Sequence, residues 1–458
     1  MGLSVKASVK SVNLYYLPVK TRMPLKFGND ITTSVICARA KVEISVQGSN
    51  TCIGWGETPL SVQWVWPSTL SFEKRLATLK ELTEKIALSW KHNTVTGHPL
   101  QIGYDFLTKE LKNLLSEMNL SRSSNDQIPW LAALVCASAF DIATHDAFGK
   151  LINKPVYDTY GKEYLDQDLS VFFHDSQFSG KYPADYLHKK SNQLVAWHLV
   201  GGLDPVSREE LTGTEPDDNY PILLEDWIKK DGLKALKIKL TGNNYDWDYQ
   251  RIIKIGSIAK TYKVLWLSVD FNCTVQEPEY VNSILDCLRD NEPETYASIL
   301  YVEQPFPYDL EQHQIDVRSV VARKPLFMDE SAHDWKIIKL GRSLGWSGVA
   351  LKTCKTQTGA ILSLCWARQN GMTLMVQDLT NPMLAQIPHV LLASHAGTIM
   401  GVETNSMQFY PEASFPEQEI HPGLYQRKHG KIDLSSINGS GFGYNIDLIQ
   451  RDLPEPVI

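Results

Sequence analysis

Apolar and polar positions alternate near the start of the chain: Val5, Ala7 and Val9, then Ala40, Val42, Ile44 and Val46 set against Arg39, Lys41, Glu43 and Ser45. A period of two puts every second side chain on one face of a strand, so this region is predicted to open with antiparallel strands buried on one side. Gly48-Ser49-Asn50 supplies turn residues, and residues 51–57 return as the partner strand. The period then becomes helical over residues 70–90 and 104–118. Pro129 suits the first position of a further helix that reaches about Gly149.

Beyond this α+β region, short runs rich in β-branched residues alternate with helical stretches, the pattern of parallel strands joined by crossover helices. The runs are residues 169–173, 236–240, 264–269, 299–302, 326–328, 348–351, 373–376 and 398–402. Eight of them predict an α/β fold, a modified (β/α) TIM-type barrel, carried with an α+β capping domain. The expected division is a cap over 1–160, a barrel over 161–405, and a Gly- and Pro-rich segment over 406–458 that returns to the cap in short strands. Residues 176–220 break the repeat and are too long for a βα connection, so they are expected to be an inserted lobe covering the barrel mouth.

Length and composition narrow the function. A chain of 458 residues with 43% hydrophobic and 21% charged residues builds a core larger than one domain needs. Its net charge of −7, without long blocks of one sign, gives no footprint for nucleic acid or an anionic membrane. Seven scattered cysteines without a Cys-x-x-Cys pair indicate neither a disulfide framework nor a zinc knuckle. The N-terminus has no apolar signal core. The most apolar stretch, residues 131–143, carries Asp141 and falls short of the roughly 20 residues that span a bilayer. The expectation is a cytoplasmic protein, a homo-oligomer, acting on a small-molecule carboxylate.

Candidate chemistry gathers at strand ends, where barrels place their catalytic groups. One run ends in Asp270 with Asn272 beyond it, the next in Glu303, the next in Asp329 and Glu330, and the next in Lys352. Three carboxylates on successive strands would repel one another unless a cation sat between them, and an all-oxygen set favours Mg²⁺ over Mn²⁺ or Ca²⁺. Lys237 and Lys239, two apart on one strand, share the interior face, where each ammonium is expected to depress the other's pKa and leave a neutral base. Trp64 and Trp66 are candidates to line a substrate loop or to pack. Residues 23–30 are read as a mobile cap loop, with Arg22 or Lys26 as anion contacts, and residues 439–443 as a turn.

The ordered set Lys237-Ile238-Lys239, Val269-Asp270-Phe271-Asn272, Val302-Glu303-Gln304-Pro305, Met328-Asp329-Glu330-Ser331 and Ala350-Leu351-Lys352 resembles the active-site strands of the enolase superfamily, in its muconate-lactonizing subgroup. Gly54-Trp55-Gly56-Glu57, Ala139-Phe140-Asp141 through Gly149-Lys150, and His421-Pro422-Gly423 resemble its cap strand, linker helix and returning segment. The resemblance implies Mg²⁺ on Asp270, Glu303 and Asp329, acid/base lysines at Lys239 and Lys352, and Lys237 tuning Lys239. Asn272, Gln377 and Asp378 become candidate substrate contacts. The implied step is removal of the proton alpha to a carboxylate through an enediolate, as a racemase or epimerase. A lyase (dehydratase) or cycloisomerase would use the same residues, and a metal-stabilised binding protein without catalysis is the alternative of another class. The Asp270 to Glu303 interval is long for the family, and no His-Asp pair replaces Lys352, which argues against the mandelate racemase branch.

Overall fold

The cap begins with three antiparallel strands, β1 (Ala7–Phe27), β2 (Asp30–Val46) and β3 (Thr51–Pro59), in the order β1-β2-β3. The computed structural model describes residues 5–27, 30–46 and 51–458; the expected turn at Gly48-Ser49-Asn50 lies outside them, as do Gly28 and Asn29. Of residues 23–30, expected to form a mobile loop, the described ones lie in β1 and β2 instead. Leu25 pairs with Thr32, Lys26 with Ile31 and Phe27 with Asp30.

The helix Trp130–Leu151 crosses β3 at very short range, and Gly54 and Gly56 make that approach possible. A Cβ on Gly54 would lie 2.0 Å from the Ala143 carbonyl oxygen, and one on Gly56 would lie 2.1 Å from that of Ala139. At 22 residues the helix is longer than the apolar stretch read from the sequence. It is apolar enough by composition to cross a membrane, yet 89% of its most apolar window is buried inside the protein. A helix apolar on all sides suits a core enclosed by protein.

The barrel strands are β4 (Gln193–Val200), β5 (Ala235–Lys239), β6 (Trp266–Asp270), β7 (Ile299–Glu303), β8 (Leu326–Met328), β9 (Gly348–Leu351), β10 (Thr373–Val376) and β11 (Val402–Glu403). They pair in parallel in the order β10-β9-β8-β7-β6-β5-β4-β11. The ring closes where the Ile399 N–H donates to the Leu374 carbonyl at 2.8 Å. A last strand, β12 (Lys431–Asp433), adds antiparallel to β4.

Two expectations need correction here. Leu169–Phe173 is a helical turn, because the Asp168 carboxylate caps it by accepting from the Ser170 N–H at 3.0 Å, and Leu169, Phe172 and Phe173 are buried. The first barrel strand is β4, which lies inside residues 176–220, so those residues are not an inserted lobe. The connection proper is residues 201–223, and it is tied to the cap hairpin by Arg22, whose Nε and Nη2 donate to Asp218 at 2.7 and 2.8 Å. The C-terminal residues form mostly helical turns instead of the expected strands. The chain nevertheless comes back to β1, where the Val457 N–H donates to the Leu14 carbonyl at 2.8 Å. A buried ion network joins the same regions: Arg39 holds Glu57 at 2.5 Å and Glu417 at 3.3 Å, and Arg451 holds Glu417 at 2.5 Å.

His98 joins the cap to the residues that follow the long helix. Its Nδ1 accepts from the Leu100 N–H at 3.0 Å, capping the helix Pro99–Asp105, and its Nε2 faces the Thr159 hydroxyl at 3.1 Å. Burial lowers its pKa from 6.5 to about 3. The folded state therefore refuses a proton that the unfolded chain accepts, so the contribution is whole above pH 6.5 and is lost as pH falls toward 3. Thermal and urea melts between pH 7 and 4 should show His98→Asn with a shallower loss of stability than the wild type, by up to ~1.4 kcal/mol per pH unit for one proton. Parallel curves would mean that His98 does not resist protonation.

Candidate active site

Side chains alternate along each barrel strand, so residues two apart point inward together. The inner layer is apolar: Trp197, Ala235, Tyr301, Phe327 and Met375 form one cluster, with the Tyr301 and Phe327 rings stacked 4.5 Å apart. Gly348 leaves room for it, since a Cβ there would lie 2.3 Å from the Phe327 ring. Two residues further along seven of the eight strands, the inward positions turn ionic or polar: Lys237 and then Lys239 on β5, Asp270 on β6, Glu303 on β7, Asp329 after β8, Lys352 after β9, Gln377 after β10 and Glu403 on β11. Parallel register sets Lys239 opposite Asp270 and Asp270 opposite Glu303.

Lys237 and Lys239 lie among the carboxylates. Lys237 Nζ stands 2.6 Å from Glu303, 3.0 Å from Asp270 and 3.1 Å from Glu403, while Lys239 Nζ is 2.5 Å from Asp270. Lys352 Nζ is 3.2 Å from Asp329 and donates to the Asp378 carbonyl at 2.7 Å. In the eight-strand ring, β5 and β9 are four positions apart in either direction, so Lys239 and Lys352 stand on opposite walls with the acidic row between them.

With ammonium groups lying between the acids, Lys237 runs opposite to the depression expected of the lysine pair. Burial alone would lower the Lys237 pKa, but Glu303, Glu403 and Asp270 outweigh it and raise it well above the ordinary value. Lys352 is raised in the same way, with burial opposed chiefly by Asp329. Burial pushes the Glu303 carboxyl upward, helped by the charge of Asp270, and these outweigh Lys237. Burial also raises Glu330, with Asp329 and Asp270 adding to it, and burial raises Asp378.

Burial is the first cause, and a shortage of positive charge adds to it. Among the described residues, Asp270, Glu303, Asp329, Glu330, Asp378 and Glu403 are buried together with only Lys237, Lys239, Lys352 and Lys355 to balance them. When all are ionised, two negative charges remain, the amount one divalent cation supplies. The all-oxygen donor set suits a hard cation such as Mg²⁺. As the side chains stand, no group of three acids, histidines or cysteines among the described residues is spaced to hold an ion, because lysine ammonium groups lie between the carboxylates.

The three residues expected to touch substrate have different surroundings. Asn272 donates its backbone N–H to Asp270 at 2.9 Å and its amide to Glu330 at 3.4 Å. It lines a 280 Å³ cavity with Lys239, Trp247 and Lys26. The Gln377 amide donates to Glu303 and to the Tyr301 hydroxyl, so it is engaged inside the site. The Asp378 carboxylate accepts from the backbone N–H groups of Asn381 and Asn405, at 2.8 and 2.6 Å. Arg22 is taken up by Asp218.

Four further residues complete the centre. Glu403 ends β11 and could have been found by the strand-end rule. Glu330 accepts from Trp64 Nε1 at 2.9 Å, which brings a cap residue into the site, whereas Trp66 packs beneath Arg122. Lys355 donates to the Asp329 carbonyl and lies 3.3 Å from its carboxylate, and both Lys352 and Lys355 lie over the Trp64 ring at 5.2 and 5.7 Å. Only the Lys-x-x-Lys spacing hinted at Lys355.

Comparison with known proteins agrees with this architecture. Residues 221–450 match the family model described as enolase C-terminal domain-like. An aromatic dipeptide epimerase of Herpetosiphon aurantiacus is 22% identical over 246 residues, 53% of this chain and 65% of that protein. The N-succinyl Arg/Lys racemase of Bacillus cereus superposes with a TM-score of 0.62 at 18% identity, covering 98% of this chain and all of the other. The dipeptide epimerase of Enterococcus faecalis, solved with Mg and the dipeptide L-Leu-L-Tyr, gives 0.61 at 17% identity over 95% of this chain and 99% of that one. At such identities the structural likeness shows the fold, and the family follows from the model that spans half the sequence. This chain belongs to the enolase C-terminal domain-like family of the enolase superfamily.

Proposed function

We propose that the protein is a Mg²⁺-dependent racemase or epimerase that moves the proton alpha to the carboxylate of an amino acid derivative such as a dipeptide. The observation that carries this reading is the pair Lys239 and Lys352 on opposite walls, flanking a buried acidic row two positive charges short of balance. Asp270, Glu303 and Asp329 would hold the ion. Mg²⁺ bound there supplies a Lewis acid for the substrate carboxylate, whose α-proton is otherwise far too weakly acidic.

The remaining steps belong to the chain itself. One lysine takes the α-proton from its face, and the opposite lysine returns a proton to the other face, inverting the centre. The ammonium groups of Lys237 and of the protonated partner stabilise the enediolate by charge, in a site whose apolar floor and Trp64 keep water out. Lys237, held by Glu303 and Glu403, is placed as a fixed charge beside Lys239. The lysine pair on two strands also fits the muconate-lactonizing subgroup.

Two outcomes are expected. Asp270→Asn, Glu303→Gln and Asp329→Asn should each weaken Mg²⁺ binding by calorimetry at least tenfold while far-UV circular dichroism stays unchanged, because these groups lie above the apolar layer; unaltered affinity in all three would remove the ion site. In deuterated buffer, proton NMR should show Lys239→Ala losing α-exchange for one stereoisomer and Lys352→Ala losing it for the other. A lyase or cycloisomerase would instead give a changed product, with one lysine essential and the other only reducing the rate. Wild-type exchange of both isomers by both variants would contradict the assignment of these lysines.

A further inference from the structure

The ring of parallel strands has one thin seam. β9 and β10 pair from Gly348 and Thr373 to Leu351 and Val376, whereas β10 and β11 form no ladder among the described residues, and the bond from the Ile399 N–H to the Leu374 carbonyl lies near the start of β10. At the mouth the seam is closed by a side chain. Asp378 follows β10 and is buried; one carboxylate oxygen accepts from the Asn381 N–H at 2.8 Å and the other from the Asn405 N–H beyond β11 at 2.6 Å. A buried carboxylate that accepts from two backbone N–H groups fixes the segments that carry them. The Asp378 carbonyl, on that same fixed residue, accepts from Lys352 Nζ at 2.7 Å. Lys352 also faces the Asp329 carboxylate at 3.2 Å and the Trp64 ring at 5.2 Å. Asp329 is an expected ion ligand and Trp64 belongs to the cap, so the Asp378 carbonyl is the barrel's own hold on this ammonium.

We propose that Asp378 is a positioning residue for Lys352: its carboxylate ties the ends of β10 and β11 together, and the carbonyl so fixed aims the Lys352 ammonium at one face of the substrate. The inference rests on the racemase or epimerase reading above. Asp378 exchanges no proton with the substrate; it acts through Lys352. Its effect is confined to one wall, because Lys239 stands four strands away, held by Asp270, and Lys237 is held by Glu303 and Asp270. Asp378→Asn keeps the size of the side chain but turns one acceptor into an N–H donor, which meets another N–H and breaks one of the two bonds. The carbonyl then loses its fixed place, and a displacement of about 1 Å in a catalytic group costs on the order of 10²-fold in rate.

The test follows α-deuterium exchange by proton NMR, with Mg²⁺ present, for both epimers of a set of dipeptides. Lys352→Ala first identifies the epimer whose exchange depends on Lys352. Asp378→Asn should lower kcat for that epimer about tenfold or more, while KM, exchange of the other epimer and the calorimetric Mg²⁺ affinity all stay within about twofold of wild type. A merely structural role would slow both epimers alike or weaken Mg²⁺ binding as well. Equal slowing of both epimers, or exchange of both at the wild-type rate, would overturn the proposal. Should Asp378→Asn fail to fold, Asp378→Ser, whose hydroxyl keeps an acceptor for one N–H, decides by the same comparison. If the wild type exchanges neither epimer of any dipeptide, the racemase or epimerase reading falls and this inference with it. If Lys239→Ala and Lys352→Ala divide the epimers between them and Asp378→Asn does not distinguish them, this inference alone falls.

Discussion

Like charges forced together out of water govern this molecule. Parallel pairing of β5 to β9 brings acids and lysines to one level at the C-terminal ends of the strands, and the apolar layer of Trp197, Tyr301, Phe327 and Met375 beneath denies them solvent. The Lys237 ammonium is thereby shared among three carboxylates, and burial pushes acids such as Glu303 toward their protonated forms. A site built in this way holds a tension that a divalent cation relieves.

The cap keeps that charged layer closed and in place. The long helix that Gly54 and Gly56 allow to lie on β3 reaches across to the turn after β9: Ser138 donates to the Thr353 carbonyl at 2.8 Å, and Asp141 accepts from the backbone and hydroxyl of Thr358, both at 2.7 Å. These bonds lie just beyond Lys352. Trp64 does the same for the other side of the mouth through Glu330. Cap and barrel are thus joined at the residues next to the chemistry, the arrangement expected when catalytic geometry has to be held within a fraction of an ångström.

Much of this was legible because the strand-end residues are local signals. Asp270, Glu303, Asp329 and Lys352 each follow a short, mostly apolar run, and Lys237 and Lys239 show the period of two directly. The first barrel strand was misplaced for an equally local reason: Leu169–Phe173 is apolar and short, and only the cap made by Asp168 reveals a helical turn. Glu330 was legible as a strand-end acid but its bond to Trp64 was not, and Lys355, which is held by Asp329, carries no strand-end signal. The upward pull on Lys237 was not legible because one of its causes, Glu403, is 166 positions away. Electrostatics of a buried cluster depends on every member, and a sequence displays them one strand at a time.

The central claim is that this buried cluster is completed by one divalent cation. The most direct measurement is a crystal structure of the protein grown at saturating Mg²⁺. The account predicts one ion per chain coordinated by Asp270, Glu303 and Asp329, with Lys237 and Lys239 drawn back from the carboxylate oxygens they now hold. Lysine ammonium groups still lying between those carboxylates, with no ion bound, would contradict it.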